Sequence, residues 1–494
     1  TEYTLPSYLD LDENDENYID PVEIYAYYIG SYINTMTNGI YLEYLLSFPV
    51  TYEKAIREKI LKSFEKGIKK SLPIQIQEDE NLMKKFKVKH GANEPAAYAA
   101  CALKNFKIEP KDKNDKVYYG VFDFGGGTTD FDFGIWKLAE DEDKYDYELE
   151  HFGAGGDKYL GGENIIKELA YKVFTENSSK LLNRRIQYIR PENYDELLGE
   201  ETLVNNNSSI AKLNTRILAE ILRKIWENSV MEDMKTIKLS YLYDTSGKKR
   251  GMDGDKELIF EVSEEELQNL IREKIDKGIN NFFIKLEDAF KDEDAKEINI
   301  FLAGNSCRHS FVNEIFEKYV AEMKDRMELV IYDLKAIKES DNDSKITGKT
   351  GVAYGLIYSR KGGRIKVTNR DEKENVANEI NFKFYLGNSK KDKFNPIITP
   401  SSNYGKFGFL GILTSDIFEI YYTTSPEAQT GKMEIGKDDP KIKRISLNEE
   451  YNEDERYRIY IKAVTPDKIS YVIVKKEEDV DTKEFLEEGE VFLD

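Results

Sequence analysis

One stretch of the chain reads Asp123-Phe124-Gly125-Gly126-Gly127-Thr128-Thr129-Asp130, and it follows directly on an apolar run. Glycines let a backbone take φ above zero and approach a ligand closely. Successive amides in such a turn form a nest for anionic oxygens. Asp123, at the end of the run, can hold a magnesium ion, most often through its waters. Thr128 offers a hydroxyl and Asp130 a second carboxylate, both suited to orienting water. The combination fits phosphoryl chemistry, which rests on positioning and charge neutralisation. An ordinary glycine hairpin is the plain alternative.

Two further loops have a related character. Gly155-Gly156-Asp157 is followed by Leu160-Gly161-Gly162-Glu163-Asn164, which opens a predicted helix. A helix N-terminus is a ready contact for an anion or nucleotide; a simple helix entry explains the glycines equally well. Ala303-Gly304-Asn305-Ser306-Cys307-Arg308 joins an apolar run to another predicted helix. Its small residues leave room for a flat ring, and Arg308 can stack on one. The plain alternative is a strand–helix turn.

These loops need strands and helices to hold them. Residues 117–122 (VYYGVF), 131–136 and 145–152 read as three strands, the first two flanking the glycine turn. Residues 41–50 (YLEYLLSFPV) read as a buried strand. Residues 51–70 follow as an amphipathic helix with Ile56, Ile60, Leu61, Phe64 and Ile68 at helical spacing. Residues 94–102 read as a helix with Pro95 in its first turn. The pattern from 161 to 234 is helical, with a polar insert at 205–209. Residues 237–243 and 258–262 read as strands, and Ser263 with Glu266 forms a capping box for the next helix. Residues 298–302 are a buried strand leading through Gly304 to a helix ending near Val320, and residues 352–358 are helical. Beyond Gly362-Gly363 the pattern alternates, as at Ile380, Phe382, Phe384 and Leu386, and predicts an all-β domain over 377–476. Residues 10–20 read as an exposed acidic loop and 477–494 as a mobile acidic tail.

Composition excludes several classes. The 494 residues carry a formal net charge of -21, against the clustered Lys and Arg that nucleic acid needs. The locally basic stretch 52–90 reads as a solvated helix face. Cys101 and Cys307 have no Cys-x-x-Cys spacing, so neither a disulfide framework nor a zinc site is expected. A reducing, cytoplasmic location fits this usage. No apolar run approaches the ~18 residues of a membrane helix, and no signal peptide is visible. His90, His151 and His309 form no metal-ligand spacing. Thr347-Gly348-Lys349-Thr350 is not a P-loop, because position 343 is Asp where glycine is required. Asp123-Phe124-Gly125 has no preceding His-Arg-Asp loop, which sets a protein kinase aside.

Taken together and in order, the loops resemble the DnaK-type heat-shock protein 70 family, within the actin and sugar-kinase ATPase superfamily. Asp123 to Asp130 matches that family's second phosphate loop, Asp-Leu-Gly-Gly-Gly-Thr-Phe-Asp. Asn93-Glu94-Pro95-Ala96-Ala97 is similar to its Asn-Glu-Pro-Thr-Ala-Ala segment. Gly156-Asp157-Lys158-Tyr159-Leu160-Gly161-Gly162-Glu163-Asn164 is similar to Gly-Asp-x-x-Leu-Gly-Gly-Glu-Asp. Gly304-Asn305-Ser306-Cys307-Arg308 resembles the adenosine loop, Gly-Gly-Ser-x-Arg. Gly351-Val352-Ala353-Tyr354-Gly355 resembles the Ala-Val-Ala-Tyr-Gly return, and Ser47-Phe48-Pro49-Val50 resembles the Val-Pro-Ala strand end. The resemblance spans residues 40–360.

What it implies is a set of expectations. The fold is α/β, an actin-like (ribonuclease H-like) two-lobed ATPase domain followed by an all-β C-terminal domain. Residues 1–115 form the remainder of lobe I, 116–345 lobe II, and 346–363 the return to lobe I. The cofactors are ATP or ADP and Mg2+. Asp123 orders the metal shell and the attacking water, with Glu94, Thr128 and Asp130 as the other catalytic groups, and Pro95 links nucleotide state to domain movement. Gly125, Gly126, Gly127, Thr128 and Thr129 hold phosphate. Gly161, Gly162, Glu163, Gly304, Asn305, Ser306 and Arg308 frame the nucleoside, with Gly348 lining the adenine pocket. The family's Glu-x-x-Lys-Arg-x-Leu-Ser segment meets residues 233–240, which assigns Lys235 and Ser240 to the same pocket. Its first phosphate loop, Asp-x-Gly-Thr-Thr-x-Ser, and its catalytic lysine belong before residue 40 and have no counterpart here. The acidic-leucine linker is replaced by Arg360-Lys361-Gly362-Gly363-Arg364. The expectation is therefore an ATP-hydrolysing chaperone-like protein whose present chain, N-terminally incomplete, is weak or inactive alone. An unfolded polypeptide client or a co-chaperone is the expected partner, with no nucleic acid and no membrane. The alternative is a non-catalytic nucleotide-sensing or scaffold module.

Overall fold

Asp20 begins the first helix, because its Oδ1 accepts from the amides of Val22 and Glu23, each at 3.0 Å, ahead of Pro21. This is α1, Pro21–Met36. The acidic segment expected as an exposed loop thus ends in a buried capping residue. In this computed structural model the chain is described except for residues 1–7, 12, 37–38, 51, 53, 158, 192–193, 195–198, 228–234, 252–257, 334–349, 371–381, 401, 403–404, 414, 437–439, 448–450, 452–455, 466 and 494. Two units make up the fold, Thr1–Asn369 and Arg370–Asp494. The first unit mixes helix and strand and the second is mostly strand with one short α-helix among the described residues, so the chain as a whole is α/β.

After α1 come β1 (Glu43–Phe48), α2 (Lys54–Ser71), the short helices α3 (Ile74–Gln77) and α4 (Glu80–Met83), and β2 (Lys87–Asn93). β1 and β2 pair in parallel. α1 packs on α2 through small residues; a Cβ at Gly67 would collide with the Glu23 carbonyl. The basic face of α2 does not stand free, since Lys62 and Lys66 pair with Glu13. α5 (Glu94–Asn105) starts where β2 ends. Asn93 caps it, accepting from the Ala96 amide at 2.9 Å, and every residue from Pro95 to Leu103 is buried.

A six-stranded sheet carries the rest of this unit. In chain order its parts are β3 (Val117–Phe124), β4 (Thr129–Leu138), β5 (Tyr147–Asp157), α6 (Gly162–Glu176), α7 (Ser178–Leu182) and α8 (Ser209–Trp226). A small antiparallel region follows: β6 (Thr236–Leu239), β7 (Leu242–Tyr243), β8 (Lys249–Arg250) and β9 (Leu258–Glu261). Then come α9 (Glu264–Ala289), β10 (Glu297–Ala303), α10 (Ser310–Met323), β11 (Glu328–Asp333), α11 (Gly351–Ser359) and β12 (Ile365–Asn369). Strand order is β11-β10-β3-β4-β5-β12. β3, β4 and β5 are antiparallel neighbours, while β10 and β11 extend the sheet in parallel. Strands that alternate between two apolar sets are buried on both faces. Tyr119, Val121, Trp136 and Phe301 pack with α5 on one face. Phe122, Phe131 and Phe133 pack with Phe282 of α9 and Phe316 of α10 on the other. α11 crosses α5 closely, and a Cβ at Gly355 would collide with the Ala97 carbonyl.

The second unit consists of β13 (Tyr385–Lys390), β14 (Lys393–Ile398), β15 (Gly408–Ile412), β16 (Ile417–Thr423), β17 (Lys441–Ser446), β18 (Arg458–Thr465), β19 (Lys468–Val474), α12 (Glu478–Thr482) and β20 (Glu487–Phe492). Two four-stranded sheets, β14-β13-β16-β17 and β15-β18-β19-β20, enclose a core with Leu386, Ile420, Ile461 and Ile473. The expected mobile tail is corrected here: β20 pairs with β19 from Glu487 to Phe492. Leu493 is buried, and Glu487 accepts from the Tyr451 and Tyr471 hydroxyls at 3.1 and 3.3 Å. Acid content hid an edge strand whose alternate residues face inward. Among the described residues no helix is long and apolar enough to cross a membrane.

Candidate functional site

The β3–β4 register sets Asp123 directly opposite Asp130 at the mouth of the glycine turn. Cross-strand neighbours of like charge destabilise one another. Glu94, the first residue of α5, joins them. Asp123 is half-buried, and desolvation, then Asp130 and Glu94, push its carboxyl up to about 8. Desolvation and Asp130 push Glu94 up to about 7. No basic side chain enters either shift. Asp130 itself is buried and accepts from the Val50 amide at 3.0 Å and from Thr128 Oγ1 at 2.7 Å. A cleft of about 510 Å3 opens over Asp123 and Glu94, walled by Leu45, Leu46 and Ser47 of β1 and by Val352, Ala353 and Leu356 of α11. Among the described residues no three His, Cys, Asp or Glu side chains are grouped to ligate a metal directly.

The turn itself is held from behind. Gly125 N donates to Thr128 O at 2.9 Å, closing it. Gly125 O accepts from Gly162 N at 3.1 Å and from Ser306 Oγ at 2.7 Å. Gly126 O accepts from Glu163 N at 2.7 Å, and Gly127 O from Asn164 Nδ2 at 2.8 Å. Three successive carbonyls thus point at α6 and the 306 loop. The amides of Gly126, Gly127 and Thr128 have no acceptor among the described residues. None of the three takes the positive φ that glycine allows. Space is critical at Gly161, where a Cβ would collide with Gly126 O; a Cβ at Gly126 would meet Glu163 Cγ at an ordinary 3.5 Å, and one at Gly127 would meet nothing within 4 Å. The left-handed glycine is Gly304 (φ 80°), where a Cβ would lie 2.6 Å from Asp123 Oδ1.

Several residues expected to meet a ligand have other partners. The amides at the α6 entrance, Gly162 and Glu163, clamp the glycine turn rather than standing open to an anion. Thr129 is fully buried and its hydroxyl donates to Leu160 O at 2.6 Å. Ser306 spends its hydroxyl on Gly125 O. Glu163 forms a two-pronged pair with Arg223, at 2.6 and 2.8 Å, which holds its carboxyl below the usual range. Asn305 and Arg308 are exposed in a 3-10 turn at Asn305–Arg308. Lys235 and Ser240 flank β6, the strand paired with β9, and the Lys235 carbonyl accepts from Val262 N at 3.0 Å. Gly348 lies outside the described residues.

Four residues at the site were not singled out in the sequence for these roles. Arg223 and Trp226 come from the last turn of α8. The Trp226 ring lies 6.1 Å from Phe124 and 4.7 Å from His309, and a Cβ at Gly162 would sit 3.0 Å from it. The amphipathic pattern of α8 predicts the helix but not which loop its end reaches. Asn164 and the Val50 amide are the others; both lie inside motifs whose side-chain partners only the fold supplies. Compared with protein-family models and with curated proteins, the sequence matches none.

Proposed function

We propose that the unit Thr1–Asn369 is an actin-like, ribonuclease H-like ATP-binding domain of the DnaK-type heat-shock kind. Its antiparallel β3-β4-β5 meander extended in parallel by β10 and β11 is compatible with one lobe of that fold. The observation that carries the reading is the locked glycine turn beside the Asp123–Asp130 pair. Three adjacent free amides suit the oxygens of a phosphate group. Two carboxyls that retain protons near neutral pH, with no basic group among the described residues contributing to either shift, suit a divalent cation. Magnesium, when bound, neutralises phosphate charge. Asp123 and Glu94 order its waters, the Gly126, Gly127 and Thr128 amides hold phosphate oxygens, and Asp130 fixes the Thr128 hydroxyl. Gly304 and Gly161 permit the close approach of their loops. Arg308 and Asn305 are the exposed groups available to the nucleoside.

A second reading, nucleotide sensing without turnover, is favoured by the same lack of a basic group beside Asp123 among the described residues. The client or partner role falls to the unit Arg370–Asp494, by its order along the chain alone, an analogy of position. Hydrolysis assays separate the two readings. Magnesium-dependent ATP turnover that Asp123→Asn reduces roughly tenfold, about 1.4 kcal/mol, supports the enzyme. Binding without turnover supports the sensor, and absence of both contradicts the domain assignment.

A further inference from the structure

The glycine turn consists of three peptide planes in succession, and each is held differently. In a trans peptide the carbonyl and the following amide lie in one plane and point in opposite directions. Fixing the carbonyls of Gly125, Gly126 and Gly127 therefore aims the amides of Gly126, Gly127 and Thr128. The first plane is held by Gly162 N and Ser306 Oγ, and the second by Glu163 N. The two backbone donors, Gly162 N and Glu163 N, belong to α6 and are present whatever side chains stand there, so each of these planes keeps a holder independent of side chains. The third plane is held by a side chain, Asn164 Nδ2 at 2.8 Å from Gly127 O.

We infer that Asn164 is a positioning residue of the glycine turn: its side-chain amide turns the Gly127 carbonyl toward α6 and so aims the Thr128 amide at the ligand. Asn164 Nδ2 also donates to Tyr159 O at 3.0 Å. Both its hydrogens are thus committed to carbonyls, and the reversed amide would set Oδ1 against two carbonyl oxygens. Only a donor serves here. The family motif that this segment resembles has Asp at the same place, and a carboxylate would repel both carbonyls. The device therefore belongs to this chain's own sequence. Asn164 acts from behind the turn and touches no phosphate, so it contributes through orientation.

The inference rests on the reading that this turn binds the phosphates of ATP. The test uses the full chain labelled with 15N at glycine and threonine and titrated with magnesium ATP. In the parent chain the Gly126, Gly127 and Thr128 amide resonances shift together. In Asn164→Ala the Thr128 shift is lost while those of Gly126 and Gly127 persist, and affinity falls about fivefold, or about 1 kcal/mol. In Asn164→Asp the fall is roughly tenfold, or about 1.4 kcal/mol. Melting temperatures stay at the parent value, which a merely structural role would not allow. Equal affinity and an equal Thr128 shift in both variants overturn the inference while leaving the binding site intact. Loss of all three shifts together with a lowered melting temperature also overturns it, because the residue then only supports the fold. No shift in the parent chain removes the phosphate site itself and the inference with it.

Discussion

Asp123 holds its proton to about pH 8 because burial and two neighbouring carboxyls oppose its charge. Its folded value lies above the ordinary carboxylate range near 3.9. The folded state thus binds more protons than the unfolded state across that window. Stability is then highest at the acid end and falls as pH rises through the window toward 8. Replacing Asp123 by Asn should remove this penalty. The variant is expected to be more stable than the parent at about pH 8, on the order of 1–3 kcal/mol, and little different at about pH 4. Urea unfolding at both pH values checks this; equal midpoints at both would mean the carboxyl is not strained. At this scale glycine spacing made the turn legible, and Asp123, Asp130, Glu94 and Thr128 do converge. The roles of Thr129, Ser306 and Glu163 were not legible, because their partners Leu160, Gly125 and Arg223 come from other loops and helices. Nothing local in the sequence says that a hydroxyl is already engaged.

The helices that frame the cleft meet through glycine. Gly355 of α11 sits against the Ala97 carbonyl of α5 with no room for a side chain. Gly355→Val should force the helices apart, destabilise the unit by about 3 kcal/mol, and weaken nucleotide binding, since both helices contribute cleft residues. Thermal melting with and without magnesium ATP measures it, and an unchanged melt would show that α5 and α11 do not need this contact. Strongly periodic elements such as α2 and α9 were legible. α1 was not, because its buried positions are Ala26 and Gly30 while Tyr25, Tyr28 and Tyr32 stand exposed. Small buried residues and large exposed ones invert the usual pattern. β20 was obscured in the opposite way, by glutamates at the outward positions of an edge strand. A chain ending at Lys483 should lower the melting temperature of the second unit by about 5 °C, since it uncovers β19. An unchanged transition would return these residues to the status of a tail.

Across the whole molecule the net charge is -21, so no general electrostatic attraction draws a nucleotide in. On the proposed reading, magnesium supplies the counter-charge. Glu94 and Asp123, pushed up to about 7 and about 8, must lose protons when a cation arrives. Affinity for magnesium ATP should therefore rise with pH through this range, and chelation of magnesium should abolish binding. The measurement that tests the central claim most directly is calorimetric titration of the chain with magnesium ATP near pH 7, in two buffers of different ionisation enthalpy. The predicted result is saturable binding whose heat differs between the buffers by the release of about one proton, with both binding and release lost in Asp123→Asn. Absence of binding, or binding that neither buffer nor Asp123→Asn alters, would contradict a magnesium nucleotide site at this turn.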